Sequence, residues 1–287
     1  MALGGTMLQT RSRLRLLGPP DVPAALDLLS RDPAANVFVE HRVRQTRLER
    51  RWLGGEVWGM VQGGQLTSLC HAGANLVPVE ADDEALRAYV DRAVAMGRGC
   101  SSIVGPSGMV DEMWRLLAPH WGPARLLRQH QPYLRTDRPP RITPDPDVRR
   151  VREDELDLLY PASVAMFTEE VGVSPEVGEG NGLYRARVLQ TIRRGYAFAR
   201  IEHGQVVFKA EIGSATPTAC QVQGVWVQPR LRGRGLAAAA MASVVAMALR
   251  DVAPVVALCV NEHNERARRV YERVGFVPHD TFTTVLF

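Results

Sequence analysis

The chain has 287 residues, and 35 Lys and Arg against 31 Asp and Glu give it a formal net charge of +4 at pH 7. This length favours two domains of roughly 130–150 residues each, and no apolar run reaches the ~18 residues of a membrane helix. Arginines alternate with acidic residues throughout, so neither a nucleic-acid partner nor a membrane partner is expected. The N-terminus has no apolar leader and the four cysteines form no C-x-x-C pair, so we expect a cytoplasmic protein without a metal site.

The first half of the chain predicts a mixture of helices and short strands. In chain order these are a helix at 21–29, a hairpin at 57–62 and 65–71, a helix at 82–96, a strand at 100–104, a helix at 110–117 and a strand at 125–134. Four prolines in residues 137–147 exclude a helix or a central strand there. We therefore predict an N-terminal domain at 1–136, a Pro-rich linker at 137–147 and a second domain at 148–287.

The second half predicts a similar order of elements. These are a helix at 154–171 that Pro161 should bend or break, a Gly-rich loop at 172–182, a helix at 183–194, a hairpin at 196–202 and 205–213, a strand at 220–228, a helix at 236–250, a buried strand at 255–260, a helix at 262–274 and a strand at 276–287. Each half is therefore expected to be an α/β domain (α+β) with a mixed sheet.

The segment between the strand at 220–228 and the following helix carries the clearest chemical signal. It reads Arg230-Leu231-Arg232-Gly233-Arg234-Gly235, and Leu236 then opens an Ala-rich helix. Glycines permit a tight loop, and the free N–H groups of a first helical turn attract an anion, to which three guanidinium groups add charge. No third glycine or Gly-Lys-Ser/Thr follows, so neither a dinucleotide fingerprint nor a P-loop is indicated. A solvated Arg-rich turn is the alternative interpretation.

Residues 225–235 resemble the GNAT superfamily of N-acetyltransferases, whose hallmark is R/Q-x-x-G-x-G/A after a strand with the pattern V-x-V-x-P. A second matching signature reads Leu258-Cys259-Val260-Asn261, followed by Asn264, Ala267, Tyr271, Gly275 and Phe276. The resemblance covers about residues 148–287. The first half is similar to the degenerate partner of tandem GNAT proteins, a plan like that of mycothiol synthase, so two tandem GNAT-like domains are expected, with the complete acyl-CoA motif in the second.

The resemblance implies that acetyl-CoA is the co-substrate and assigns its contacts. The backbone of Val225, Trp226 and Val227 would bind the pantetheine arm and polarise the acetyl carbonyl. The pyrophosphate would lie on Arg230, Leu231, Arg232, Gly233, Arg234, Gly235, Leu236 and Ala237. Asn264 matches a position that contacts the cofactor, and Asn261 ends the strand beside which the family's sheet opens. Either asparagine could instead cap the following helix.

Tyr271 is the first candidate for a catalytic side chain. It shares a helical face with Asn264 and the small Ala267, and a phenol suits a donor of a proton to the departing thiolate. The alternative is a core aromatic bonded to the backbone.

A carboxylate that accepts the proton of the attacking amine is harder to identify. Gln221 and Gln223 lie on the strand before the loop and cannot act as bases, which leaves Glu211 on the preceding strand, although its facing is not fixed by the sequence. Glu169, Glu170 and His203 are further options, and Glu211 could be a solvated strand residue. The segment between the first two helices carries four glutamates, and an acidic mouth there would favour a cationic amine: Glu169, Glu170, Glu176 and Glu179. A mobile polar loop is the alternative interpretation.

We therefore expect an N-acetyltransferase that moves an acetyl group from acetyl-CoA to a primary amine of a small molecule or protein by direct attack. Cys220 and Cys259 lie within apolar strands and are poor nucleophiles. The alternative from another class is a non-catalytic acyl-CoA-binding regulatory or assembly module, since fold and cofactor site do not guarantee turnover. The acceptor, the acyl chain length and any oligomer are left open by the sequence.

Overall fold

The computed structural model describes residues 12–177 and 180–287. Two expectations concern residues outside this part of the chain. These are the absence of an apolar leader in residues 1–11 and the contribution of Glu179 to an acidic mouth. The chain divides into two compact units, of which the first contains the residues up to His130 together with Thr281–Phe287 and the second contains Gln131–Asp280. None of the described helices is both long and apolar enough to cross a membrane.

The first unit alternates short helices with the strands of one sheet. Its elements are β1 (Arg13–Leu16), α1 (Val22–Leu29), α2 (Val37–Thr46), α3 (Arg50–Leu53), β2 (Glu56–Gln62), β3 (Gln65–Ala72), β4 (Asn75–Val79), α4 (Asp83–Met96), β5 (Ser102–Pro106), α5 (Ser107–Trp121) and the start of β6 (Leu126–Thr136). The Asp82 side chain caps α4 by accepting a hydrogen bond from the Ala85 N–H at 2.9 Å.

The second unit repeats this pattern of helices and strands. After the end of β6 come β7 (Arg149–Arg150), α6 (Leu156–Val171), α7 (Gly180–Arg193), β8 (Ala197–Glu202), β9 (Gln205–Ala215), β10 (Cys220–Val227), α8 (Leu236–Asp251), β11 (Val256–Cys259), α9 (Glu265–Val274) and the start of β12 (Val277–Leu286). Pro161 was expected to bend or break the helix, and a break is wrong because α6 continues through it. The carbonyl of Asp157, which loses its helical donor there, belongs to an exposed residue and is open to water.

Both units have the same strand order around one parallel pair. In the first, β1 to β4 pair antiparallel in sequence order, and β4 then lies parallel to β5. In the second, β7 to β10 pair antiparallel and β10 lies parallel to β11. The mixed α/β fold predicted for each half is confirmed.

The last position of each sheet is filled by a strand from the other half of the sequence. Beside β5 lies the end of β12, from Phe282 opposite Pro106 to Leu286 opposite Ser102. Beside β11 lies the end of β6, from Tyr133 opposite Cys259 to Thr136 opposite Val256. These units therefore differ from the predicted domain limits 1–136 and 148–287 at both ends, because strand pairing and not the Pro-rich segment sets the division.

The Pro-rich segment 137–147 is bound to the second unit. The Arg141 N–H donates to the Val274 carbonyl at 2.8 Å, and the Asp145 N–H donates to the Ala239 carbonyl at 3.1 Å. Ser243 Oγ donates to the Asp145 carbonyl at 2.6 Å. The segment thus lies along the Ala-rich helix α8, and the small side chains of the helix allow this close approach.

Candidate active site

The parallel strands β10 and β11 separate after a short contact. Their register consists of Cys220 opposite Val256 and Gln221 opposite Ala257. β10 runs on to Val227 and β11 to Cys259, so beyond these two residue pairs there is a gap in the pairing of the two strands. Backbone groups of a strand that faces such a gap can bind a ligand in the way they would bind a neighbouring strand.

A β-bulge bends β10 beside this gap. Gln223 lies opposite Glu211, but the next paired residue is Trp226, opposite Lys209, so β10 has one residue more than β9 over this stretch. Gly224 takes the left-handed conformation at φ +58 within the bulge. A Cβ atom at this position would lie only 3.1 Å from Lys209 Nζ and 3.1 Å from Met166 Cε. The bulge therefore depends on a glycine and shifts the register of the residues that follow, Val225 to Val227, by one residue relative to β9.

The loop after β10 forms a cradle that suits an anion. A short 3-10 turn covers Pro229–Leu231, and Gly233 and Gly235 then adopt φ values of +78 and +84. No atom stands within 4 Å of where a Cβ would lie at either glycine, so there is open space on both. Gly235 offers no capping side chain to α8, so the first N–H groups of Leu236 and Ala237 stay available to a ligand.

The three arginines of the loop have different surroundings. Arg230 donates to Gln228 and Gln205, and Arg232 donates from Nε to the Val227 carbonyl at 2.9 Å. Arg234 is exposed and makes no ion pair or side-chain hydrogen bond with the residues that the structure describes. It lines a cleft of about 540 Å³ together with Gly235, Leu236, Arg200 and the Pro-rich segment. Arg234 is thus the guanidinium most available for a phosphate.

Glu169 of α6 connects the first helix of this unit to the loop. One carboxylate oxygen accepts from Trp226 Nε1 at 3.1 Å, and the other accepts from Arg232 Nη2 at 2.7 Å. The pair with Arg232 is about half exposed on both sides. Glu169 is therefore neutralised by a loop arginine, which reduces the acidity expected at the mouth of the cleft.

A buried cluster of charged and amide groups stands behind the bulge. Lys209 Nζ lies 3.3 Å from Glu211 Oε2 and donates to the Gly224 carbonyl at 3.2 Å, while Gln223 Nε2 donates to Glu211 Oε1 at 3.0 Å. Burial raises the pKa of the Glu211 carboxyl, but the Lys209 charge, the Gln223 hydrogen bond and the nearby charge of Arg187 outweigh it. The pKa of Glu211 is therefore below its ordinary value, and the side chain is ionised.

Lys209 is the residue that the sequence analysis missed. It is 1% exposed. The signal available in the sequence was its type, because Lys209 is the only lysine among the chain's 35 Lys and Arg residues. The facing of Glu211 is now defined, since the adjacent Phe208 and Ala210 pack in the core beside α8, whereas Lys209 and Glu211 point to the face covered by α6.

Tyr271 lies on α9 and is 7% exposed. Its ring packs edge-on against Phe276 with the centroids 5.8 Å apart. Burial, followed by the charge of Glu170 and the nearby Cys259, raises the pKa of the Tyr271 phenol above its ordinary value. The hydroxyl is therefore protonated throughout the physiological pH range, which a proton donor requires.

The two asparagines that follow β11 have partners within the protein. The Asn264 side chain caps α9 by accepting from the Ala267 N–H at 3.2 Å. Asn261 Oδ1 accepts from Gln131 Nε2 at 2.8 Å. A cofactor contact by either side chain would use its Nδ2 donors or the remaining acceptor capacity of Oδ1.

The first unit has the same strand plan but a different junction between β4 and α4. Acidic residues occupy the start of the helix, where Asp82 caps the first turn and Asp83 follows. Pro78 of β4 has no N–H, and its carbonyl lies 3.7 Å from where a Cβ of Gly105 would stand on β5. Carboxylates repel a phosphate, so this junction does not suit an acyl-CoA.

Comparison with protein families gives two matches. A model described as "Acetyltransferase (GNAT) family" matches residues 178–276, which include β10, the loop, α8 and α9. A model for a domain of unknown function (DUF4081) matches residues 55–159. No curated protein matches the chain.

Solved structures of similar length have a similar fold. A GNAT-family acetyltransferase from Colwellia psychrerythraea is 9% identical, with 96% of this chain and 99% of that chain covered and a TM-score of 0.57. A GCN5-related N-acetyltransferase from Sphaerobacter thermophilus is 17% identical, with coverage of 98% and 97% and a TM-score of 0.60. A tandem GNAT protein from the clavulanic acid biosynthesis pathway is 14% identical, with coverage of 96% and 98% and a TM-score of 0.56. The likeness concerns the fold, and it confirms the expected pair of GNAT-like domains.

Proposed function

Because residues 178–276 match the model described as "Acetyltransferase (GNAT) family", we propose that this chain moves an acetyl group from acetyl-CoA to a primary amine of a small molecule or protein. Family and fold support acyl transfer in general, and the donor and acceptor named here are the proposal. The observation that carries it is the junction of β10 with α8, where open glycines, free helical N–H groups and Arg234 stand beside the gap between β10 and β11.

The residues at this junction fit a diphosphate. Gly233 and Gly235 leave room for it, and the first turn of α8 and Arg234 supply N–H donors and charge. Arg232 would contribute by exchanging Glu169 for the ligand. The remaining proposed contacts with acetyl-CoA are Val225, Trp226, Val227, Arg230, Leu231, Leu236, Ala237, Asn261 and Asn264.

The proposed chemistry is a direct transfer. Acetyl-CoA supplies the acetyl thioester, the amine nitrogen forms the new C–N bond, and the C–S bond breaks. The backbone of Val225 to Val227 binds the acetyl oxygen as negative charge develops on it. Tyr271 donates its proton to the departing thiolate and regains one from solvent. The proton that the amine loses passes through water to Glu211 and from there to solvent. Burial raises the pKa of the Cys220 thiol to about 12, which disfavours a covalent acyl-enzyme on that residue.

Replacement of Tyr271 by phenylalanine tests the role of the phenol. We expect kcat to fall by about 100-fold, the lower range for general acid catalysis, with little change in KM for acetyl-CoA. Tyr89→Phe is the matched control, because Tyr89 is also buried (0% exposed, against 7% for Tyr271) but lies in the first unit, where its hydroxyl is hydrogen-bonded to Ser68 Oγ at 2.8 Å. An unchanged rate in Tyr271→Phe at every pH would remove the assigned role.

The engagement of Glu211 favours a second candidate function. Both of its carboxylate oxygens already have partners, Lys209 and Gln223, and its lowered pKa makes it a weak base. A chain that binds acyl-CoA without turning it over, as a regulatory or assembly module, is the alternative.

Two measurements on the full chain separate these functions. Acetyl-CoA at 100 times its Kd should stabilise the protein by about 2.7 kcal/mol under either function, which a thermal-shift titration detects. Thiol release with a panel of primary amines should then be saturable and dependent on the amine. Stabilisation without amine-dependent release would leave the binding module, and a chain that acetyl-CoA does not stabilise would contradict both.

A further inference from the structure

The single lysine of the chain lies in the charged cluster behind the bulge of β10. Its ammonium group contacts Glu211 Oε2 at 3.3 Å and the Gly224 carbonyl at 3.2 Å, and the residue is 1% exposed. Everywhere else in the sequence the basic residue is arginine. A guanidinium group has five N–H donors and would need more partners than this buried site offers, whereas an ammonium group has three.

Stability alone does not account for this buried pair. Removing two charges from water costs several kcal/mol per ion, and well-packed apolar or neutral residues often replace a buried ion pair without loss of stability. The Glu211 carboxylate also receives Gln223 Nε2, so the cluster fixes the position of three strand residues at the bulge. Such an arrangement is useful where the position of the backbone matters for function.

The contacts of Lys209 connect it to the proposed reaction through the backbone. Its carbonyl partner, Gly224, is the left-handed residue that creates the bulge. The following residues, Val225 to Val227, are those proposed to bind the acetyl oxygen. Because almost none of Lys209 is exposed, the ammonium group acts on the reaction through Gly224 and Glu211 and not by contact with the substrate.

We propose that Lys209 is a positioning residue for acyl transfer, which holds the Gly224 carbonyl and Glu211 so that the bulge of β10 keeps its backbone groups directed at the acetyl oxygen. This inference rests on the proposed function. It predicts that loss of the ammonium group lowers kcat while acetyl-CoA still binds, since the junction with α8 is unchanged.

A pair of variants separates this role from a purely structural one. Glu211→Gln keeps Lys209 on the Gly224 carbonyl, whereas the double variant Lys209→Met with Glu211→Gln removes it and leaves no unpaired charge. We expect the double variant to have a kcat lower than that of Glu211→Gln by about 10- to 100-fold, the scale of a misplaced reacting group, with KM for acetyl-CoA changed less than about threefold. Equal kcat values in the two variants would overturn the inference.

Arg149→Met is the matched control for loss of a cation from a buried carboxylate. It removes the closer of the two arginine partners of Glu155 and leaves Arg152 Nη2 at 3.1 Å. The Glu155 side chain is 7% exposed, against 14% for Glu211. Arg149 lies on β7, which is separated from β10 by β8 and β9. The variant should lose stability but keep its kcat at a temperature where circular dichroism shows it folded.

A second readout needs no turnover. Because the chain has one lysine, uniform labelling with ¹³C-lysine gives a single set of side-chain NMR signals, all from Lys209. Saturating acetyl-CoA, verified by calorimetry, should shift the Cε signal, and CoA without the acetyl group should shift it less. An unmoved signal under saturation overturns the inference. If wild-type protein binds acetyl-CoA but none of the amines in the panel causes thiol release, the proposed function is contradicted instead. The NMR signal still decides the role of Lys209 in that case.

Discussion

Replacement of Gly224 by alanine perturbs the bulge of β10 with a single methyl group. Gly224 has a φ of +58, and a Cβ there would stand 3.1 Å from Lys209 Nζ, 3.1 Å from Met166 Cε and 3.3 Å from Glu211 Cδ. All three distances are shorter than ordinary van der Waals contact. Either the bulge or the charged cluster must therefore move to admit the methyl group.

The magnitude follows from two separate costs. A left-handed backbone costs a non-glycine residue roughly 1–2 kcal/mol. Crowding of a packed site costs typically about 1–3 kcal/mol more. Gly204→Ala is the matched control, because Gly204 has a φ of +72 in the β8–β9 turn but no atom within 4 Å of its Cβ position. It incurs the first cost without the second, so Gly224→Ala should be less stable than Gly204→Ala by about 1–3 kcal/mol.

Urea denaturation and steady-state kinetics measure the two consequences. Gly204→Ala should keep the wild-type kcat, whereas Gly224→Ala should lose about 10-fold or more, because relief of the contacts shifts the backbone that is proposed to bind the acetyl oxygen. If the two variants had equal stability and equal kcat, neither the close packing of the bulge nor its role in the reaction would stand.

Three further outcomes are expected. Arg234→Met should raise KM for acetyl-CoA about fivefold, since an exposed charge-assisted hydrogen bond contributes about 1 kcal/mol. The effect should shrink at high salt, and an effect on KM that does not depend on salt would contradict a phosphate contact. Glu169→Gln frees Arg232 from an exposed ion pair and should lower that KM by up to about fivefold, with altered Trp226 fluorescence as evidence that the contact has changed. The hydrogen bonds from Arg149 are the largest cause that lowers the pKa of Glu155 from 4.5 to about 2, with smaller contributions from the Arg152 N–H and from the charges of both arginines. The stabilisation by the ionised Glu155 is therefore complete above pH 4.5 and is lost as the pH falls through 2. Urea denaturation should therefore find Arg149→Met less stable than wild type by about 1–2 kcal/mol at pH 6, where solvent around Arg149 weakens the pair, and equal to it near pH 2; a difference independent of pH would contradict the assigned pKa.

Local sequence patterns predicted much of the candidate site. The turn at His203-Gly204 takes positive φ at both residues, as the hairpin pattern indicated. Gly233 and Gly235 likewise adopt the left-handed conformation expected of the loop, and α8 begins at Leu236 as predicted. Each of these features is encoded by neighbouring residues, through backbone freedom or helix termination, and can be read within a short window of sequence.

Features that depend on distant residues were not predictable in this way. The alternation of β9 does not reveal which face receives Glu211, and only the packing of Phe208 and Ala210 beside α8 decides it. The pairing of Lys209 with the Gly224 carbonyl depends on a bulge on another strand. The partners of β6 and β12 were missed for the same reason, because strand patterns specify burial and not the identity of the neighbouring strand.

The exchange of the final strands has a consequence for biosynthesis. Thr281–Phe287 belong to the first unit although the whole of the second unit precedes them in the sequence. During translation the edge of β5 therefore stays unpaired until the whole second unit and then the end of β12 have been synthesised. A nascent chain arrested within β11 or α9 would present an unprotected sheet edge to chaperones and to other nascent chains. Expression of the first half by itself would leave the edge of β5 open to aggregation, and expression of the second half would leave that of β11.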